Sequence, residues 1–271
     1  MCEVGKGRMA DDMAGMGSPG LKERMRTGEV VVGTFIQTPH PVVCEFLVGM
    51  GFDMLCLEAE HSAMGPETVQ SLVAACDRSG AESLVRIANN DWVLIAGALD
   101  AGAAGIICPR VNTAAEAKAF VKASLYPPSG DRGIGPGRIT AYGYNAGPDY
   151  RARANARNLI AAQVETKAAV RNLEGILGVE GLDMVFIGPA DLTSSLGLAG
   201  MDDPKLKTTI EKILATAQAA GKLTGIFAGN PAGAAHWISK GANLVLLASD
   251  LMFMGNGGTD AKAQLAKLRE G

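Results

Sequence analysis

Four short stretches of this chain carry side chains that handle protons, anions or cations. In MLCLEAEHSAM, residues 54–64, an apolar run ends in Glu58, Glu60 and His61, and the whole chain holds only three histidines. Arg86 sits inside SLVRIA at 83–88, Gln163 and Glu165 close IAAQVE at 160–165, and Asp191 follows MVFIG-PA at 184–190. An imidazole titrates near neutrality and suits proton transfer, and Glu58, three positions earlier, is placed to orient His61. An arginine in an apolar run needs an anionic partner. That partner is either a structural carboxylate or a substrate oxygen, which the guanidinium fork suits. Glu165 and Asp191 end consecutive apolar runs. On neighbouring strands, about 4.8 Å apart, such carboxylates can hold one hard divalent cation from one side. The bland alternative makes them helix-start acids favoured by the helix dipole.

The elements that must position these residues repeat regularly. Strand-like runs fall at 30–37, 54–60, 83–88, 105–111, 160–165, 184–188, 223–228 and 244–250. Helical patterns lie between and after them at 41–50, 65–79, 91–101, 114–125, 167–178, 204–220, 231–240 and 259–269, several opening on Pro, Thr or Asp and several closing on Gly. Apolar runs without clean alternation suit strands buried on both faces, as in a parallel sheet. Eight strand–helix units in one domain, 18–271, predict an α/β fold of the (β/α)8 TIM-barrel type, with a helix over 18–28 closing its floor. An open doubly wound sheet is the alternative, but no GxGxxG turn follows the first strand. In a barrel, chemistry belongs at the carboxyl ends of the strands. Those ends read Glu58-Ala-Glu60-His61, Arg86, Pro109-Arg110, Gln163-Val-Glu165, Gly188-Pro-Ala-Asp191 and Ser249-Asp250, whereas the strand starts carry little beyond Asp53 and Asp183.

Composition excludes several classes of function. With 25 basic against 28 acidic residues among 271, the net charge of −3 leaves no footprint for nucleic acid or an anionic membrane. No apolar run reaches the roughly 18 to 20 residues of a transmembrane helix. Residues 1–17 lack the apolar core of a signal peptide and are expected to be a disordered lead-in. Five cysteines without CxxC spacing, four of them in apolar segments, are expected as reduced core thiols of a cytoplasmic protein.

Some features stay open. The Gly/Pro-rich, basic stretch 126–158 is expected to form an ordered flap or a subunit contact. Every lysine falls in the N-terminal segments, on a helix or at a helix end, so imine chemistry on a barrel lysine has no candidate. GNGGTD at 255–260 is read as a flexible connection, with an anion cradle as the alternative. His40 and His236 are weaker site candidates than His61.

The stretches GFDMLCLEAEH, YPPSGDRGIG, QVETKAAVRNLEGILGVEGLDMVFIGPADLTSSLG and GKLTGIFA, in this order, resemble the HpcH/HpaI aldolase family over roughly residues 20–255. The resemblance implies a barrel of the phosphoenolpyruvate/pyruvate superfamily whose eighth helix is exchanged between subunits, in dimers often grouped into hexamers. It implies class II aldolase activity: a 4-hydroxy-2-oxo acid is split into pyruvate and an aldehyde with Mg2+, Mn2+ or Co2+. The metal ligands fall on Glu165 and Asp191, the active-site histidine on His61 and the arginine on Arg86. Gln163 and the backbone amides of Ala190 and Asp191 match groups lining the pyruvate pocket. The family usually has Asp, orienting the histidine, where this chain has Glu58, and 136–145 departs from the usual loop. Two other readings are a CoA-ester lyase of the malyl-CoA or citramalyl-CoA type, whose basic groove could only be 132–157, and a non-catalytic barrel that binds an oxo acid.

Overall fold

The computed structural model describes residues 19–144 and 147–270. The expected lead-in at 1–17 lies outside them. Eight strands, β1 Val31–Ile36, β2 Met54–Glu58, β3 Glu82–Arg86, β4 Gly105–Cys108, β5 Leu159–Val164, β6 Met184–Ile187, β7 Leu223–Ala228 and β8 Leu244–Ser249, pair in sequence order. All pairs are parallel, and β8 closes on β1. The expected (β/α)8 barrel is the fold.

The two-residue period of a strand sorts the core into two layers. Leu55, Leu57, Val85, Ile160, Ala162 and Val185 face outward onto the helices. Met54, Cys56, Leu84, Leu159, Ala161, Met184 and Phe186 fill the barrel interior. The same parity carries Glu58, Arg86 and Gln163 onto the interior side at the carboxyl ends. The four described cysteines, Cys44, Cys56, Cys76 and Cys108, are buried free thiols. Among the described residues, no helix is long and apolar enough to cross a membrane.

The floor is plugged by α1, Leu21–Arg26, as its position ahead of β1 predicts. Its Leu21 and Met25 join the interior cluster. The Leu21 N–H donates to Glu82 Oε2 at 2.7 Å, and Lys22 and Arg26 pair with the buried Asp183 at 2.8 and 2.9 Å. Asp183 also accepts from the Ile160 N–H at 3.1 Å, tying the plug to β5.

Around the barrel run α2 Pro41–Gly49, α3 Pro66–Ser79, α4 Trp92–Ala101 and α5 Ala114–Ser124. Then come α6 Tyr150–Arg157, α7 Lys167–Arg171, α8 Leu173–Leu177 and α9 Pro189–Leu196. The last three are α10 Pro204–Ala219, α11 Pro231–Ser239 and α12 Asp250–Glu270. Three expectations need correction. The helix expected at 167–178 is two short helices that meet at Asn172. α6 and α9 were not expected: one hides in a Gly/Pro-rich stretch, and the other opens on the Pro189 that follows β6. The helix expected at 259–269 begins at Asp250 and runs unbroken through Gly255, Gly257 and Gly258. GNGGTD is therefore neither a connection nor an anion cradle, because helix propagation from both sides overrides a glycine penalty of about 1 kcal/mol per residue.

The described residues of the stretch 126–158 lie at the floor. The stretch joins the end of α5 to the start of β5, and such a connection must emerge at the amino end of the barrel. Tyr126 packs edge-on against Tyr150 with centroids 5.8 Å apart, and the Arg132 guanidinium lies 4.4 Å from the Tyr126 ring centre. Arg132 pairs with Asp100, Arg138 with Asp77 at 2.6 Å, and Arg157 with Glu82. The segment straps the carboxyl ends of α3 and α4 and cannot fold over the mouth as a flap.

Gly105 marks a tight seam of the wall. A Cβ there would lie 2.2 Å from the Leu159 carbonyl oxygen, and that backbone cannot move aside. Gly105→Ala is expected to cost about 1–3 kcal/mol in urea denaturation. Gly49→Ala, which would meet nothing within 4 Å at the end of α2, is expected to be neutral or slightly stabilising. Equal midpoints for the two variants would show that the β4–β5 seam has slack.

Candidate active site

At the carboxyl ends of the strands opens a cavity of about 240 Å3, lined by Phe35, Glu58, His61, Arg86, Ala190 and Asp191 among others. A larger space of about 430 Å3 lies at the floor beneath α1. Its arginines Arg24 and Arg157 are already paired with Glu29 and Glu82, so the cavity at the mouth is where uncommitted chemistry gathers.

Glu58 and Arg86 end β2 and β3 and are direct partners in the strand register. Glu58 is 1% exposed, and its Oε2 accepts a charged hydrogen bond from Arg86 Nη2. Its Oε1 accepts from the Glu60 N–H at 2.8 Å and the His61 N–H at 3.1 Å. Glu58 thus holds the turn that bears His61, but it does not touch the imidazole. This corrects the expectation that it orients the ring. The register gives one carboxylate oxygen to Arg86, and the turn amides take the other.

Arg86 lies with its guanidinium carbon 4.5 Å from the centre of the Phe35 ring. Burial works against its charge, and the charge and hydrogen bond of Glu58 outweigh that. The His61 side chain is 58% exposed at the rim, with Nε2 3.7 Å from Glu60 Oε2. Glu60 was passed over as a site residue. It shares the parity of Glu58, which is the signal that could have singled it out. Burial pushes its carboxyl up from the usual range, while the charges of Arg86 and His61 oppose this.

Across the mouth, Glu165 follows β5 and is 2% exposed. Both of its hydrogen-bond donors are uncharged: the Gln163 side-chain amide, and the Arg110 N–H at 2.8 Å. Arg110 holds a left-handed φ of 55° where it makes this contact. Burial pushes the Glu165 carboxyl up; the two hydrogen bonds oppose that, and the charge of Asp191 adds to it. A Cβ on Gly188 would sit 2.9 Å from Glu165 Oε2, so glycine there leaves the carboxylate its room. Asp191 lies in the first turn of α9, capped by Gly188 with no side-chain hydrogen bond. The N–H groups of Ala190 and Asp191 lie in that turn, where a helix leaves its first amides without intrahelical acceptors.

Not every strand-end residue belongs to the site. Asp250 accepts from the Gln37 and Thr38 N–H groups at 3.0 and 2.8 Å, tying the β1–α2 loop to β8. His40 caps α2, its Nδ1 accepting from the Val42 N–H at 3.3 Å. His236 lies on α11, 3.9 Å from Glu211. Phe186 and Phe227 complete an aromatic wall with Phe35 that was legible only as core.

A site with buried carboxylates and one arginine at the mouth of a parallel barrel has clear relatives. The sequence profile of the HpcH/HpaI aldolase/citrate lyase family matches residues 32–256. The 4-hydroxy-2-oxo-heptane-1,7-dioate aldolase of Salmonella dublin is 36% identical over 238 residues, covering 88% of this chain and 90% of that one. The crystal structure of an HpcH/HpaI aldolase/citrate lyase family protein from Burkholderia cenocepacia superposes with a TM-score of 0.85 at 32% identity, covering 91% of this chain and 98% of that one. That of an HpcH/HpaI aldolase from Desulfitobacterium hafniense superposes at 0.86 and 28% identity, covering 92% and 97%. By profile, by sequence and by fold, this chain belongs to the HpcH/HpaI aldolase/citrate lyase family and is a carbon–carbon lyase.

Proposed function

We propose that the chain cleaves a 4-hydroxy-2-oxo acid into pyruvate and an aldehyde, reversibly, with a divalent cation held by Glu165 and Asp191. The observation that carries this reading is the Glu165 carboxylate, almost wholly buried with only neutral hydrogen-bond donors and a second carboxylate nearby. Burying such a charge is costly unless a cation joins it. The buried Gln163 Oε1 beside it lacks a hydrogen-bond partner as well. Among the described residues no three or more His, Cys, Asp or Glu side chains are grouped so as to hold a metal ion by themselves. A hard cation would therefore draw further ligands from water and from an oxo acid. When bound, such a cation supplies Lewis acidity to the oxo acid's carbonyl oxygen.

The chain's own groups do the rest. The amides of Ala190 and Asp191, at the positive end of α9, receive the substrate carboxylate. Arg86, braced by Glu58, donates to the 2-oxo oxygen, where negative charge grows as the C3–C4 bond breaks. His61 at the rim takes the proton of the C4 hydroxyl. The C3–C4 pair becomes the pyruvate enolate, the aldehyde departs, and C3 is reprotonated. Against the CoA-ester alternative, Arg132, Arg138 and Arg157 of the basic stretch pair with floor carboxylates.

A homo-oligomer with an exchanged last helix completes the proposal. Between Leu251 and Arg269 most side chains of α12 are exposed, Leu265 and Leu268 at 57% and 81% among them. An apolar groove beside its start is lined by Val42, Phe46, Met50, Phe253 and Met254. A second copy's helix would cover both surfaces.

Exhaustive chelation is expected to abolish cleavage, and Mg2+, Mn2+ or Co2+ to restore it; full turnover by the chelated protein would sink the metal assignment. Arg86→Lys is expected to cost about 2–4 kcal/mol in kcat/KM, since one ammonium cannot brace against Glu58 and reach the carbonyl oxygen together. Near-normal kcat/KM in that variant would make Arg86 purely structural. Phe46→Asp is expected to reduce the assembly seen by sedimentation velocity, and an unchanged distribution would remove this groove from the subunit contact.

A further inference from the structure

Glu60 is a carboxylate of the mouth that neither Glu58's register pairing nor the Glu165–Asp191 pair uses. Its Oε2 is buried and accepts no hydrogen bond. Two nitrogens face it: Arg86 Nε at 3.4 Å, itself buried without an acceptor, and His61 Nε2 at 3.7 Å. Arg86 is therefore held between two carboxylates, Glu58 at Nη2 and Glu60 at Nε. Three charges of this cluster, two negative and one positive, leave one negative charge facing the imidazole.

The geometry points to Glu60 as a positioning residue that couples Arg86 to His61. One oxygen fixes the Nε edge of the guanidinium while Glu58 holds Nη2, so that Nη1 is left for the cavity. The same oxygen supplies the counter-charge when His61 takes up the C4-hydroxyl proton. It thus takes the imidazole-facing role that sequence reasoning gave to Glu58. The inference rests on the aldolase reading for its catalytic half and on geometry alone for its hold on Arg86.

The test uses Glu60→Gln, which keeps the shape and removes the charge, and Glu60→Asp, which keeps the charge and shortens the reach. With 4-hydroxy-2-oxo-heptane-1,7-dioate and Mn2+ as probes, kcat of Glu60→Gln is expected to fall about 10- to 100-fold, as for other outer partners of a site, with KM little changed. Glu60→Asp should recover part of the loss. Added to His61→Ala, the Gln change should cost nothing further, because partners acting as a unit are not additive. Independently of turnover, the Arg86 Nε–H proton seen by NMR should exchange with solvent faster in Glu60→Gln than in wild type. Wild-type kcat in Glu60→Gln, or losses fully additive with His61→Ala, would overturn the coupling to His61. Unchanged Nε–H exchange would overturn the hold on Arg86. If the wild-type protein neither cleaves the probe nor exchanges pyruvate methyl protons with deuterium, the aldolase reading fails, and the NMR comparison still decides the Glu60–Arg86 contact.

Discussion

The buried pair Glu58–Arg86 is the interaction on which the mouth of this barrel depends. Two ions are removed from water at adjacent strand ends, and the register of β2 against β3 makes them meet without any loop having to bring them together. Breaking such a pair by deleting one partner costs about 3–5 kcal/mol, because the survivor is left as an uncompensated buried charge. The pair also shapes what surrounds it. Glu58's second oxygen pins the two amides of the following turn, and Arg86 packs over Phe35 of β1, two strands away.

The barrel is polar from end to end in a way that follows from its closure. At the floor, interior side chains are apolar, and Leu21 and Met25 of α1 seal them from water. At the other end the last inward residues of β2, β3 and β5 are polar although little water reaches them, and hydrogen bonds among neighbours compensate their burial. Glu58, Arg86 and Gln163 stand there, and Glu165 follows. In the proposed cation site, α9 begins one residue after β6, which sets Asp191 in its first turn near enough for its charge to act on Glu165.

Connections sort by direction just as side chains sort by parity. Every link from a strand to a helix lies at the mouth, and every link from a helix to a strand lies at the floor. The long basic segment between α5 and β5 is of the second kind, and its arginines brace the carboxyl ends of α3 and α4 instead of a ligand. Its side chains stabilise the scaffold at the end away from the chemistry.

Eight apolar runs separated by capped helical patterns pointed to the barrel, because eight strand–helix units with strands buried on both faces close readily into one sheet. Their last residues named the mouth: Arg86, Gln163 and Glu165 were legible from strand ends alone, since parity and chain direction are local properties, whereas Asp191 stands in the first turn of α9 and not on β6. Partner choice was not local. Whether Glu58 would meet His61 or Arg86 depended on the β2–β3 register, a contact between residues 28 positions apart. Glu60's place between Arg86 and His61 depended on the same turn. The unbroken α12 was hidden by glycines whose local signal is weaker than cooperative helix propagation. Residue type and spacing told which groups would stand at the mouth; tertiary pairing decided which of them hold one another, because a buried charge settles with whatever counter-charge the register brings within reach.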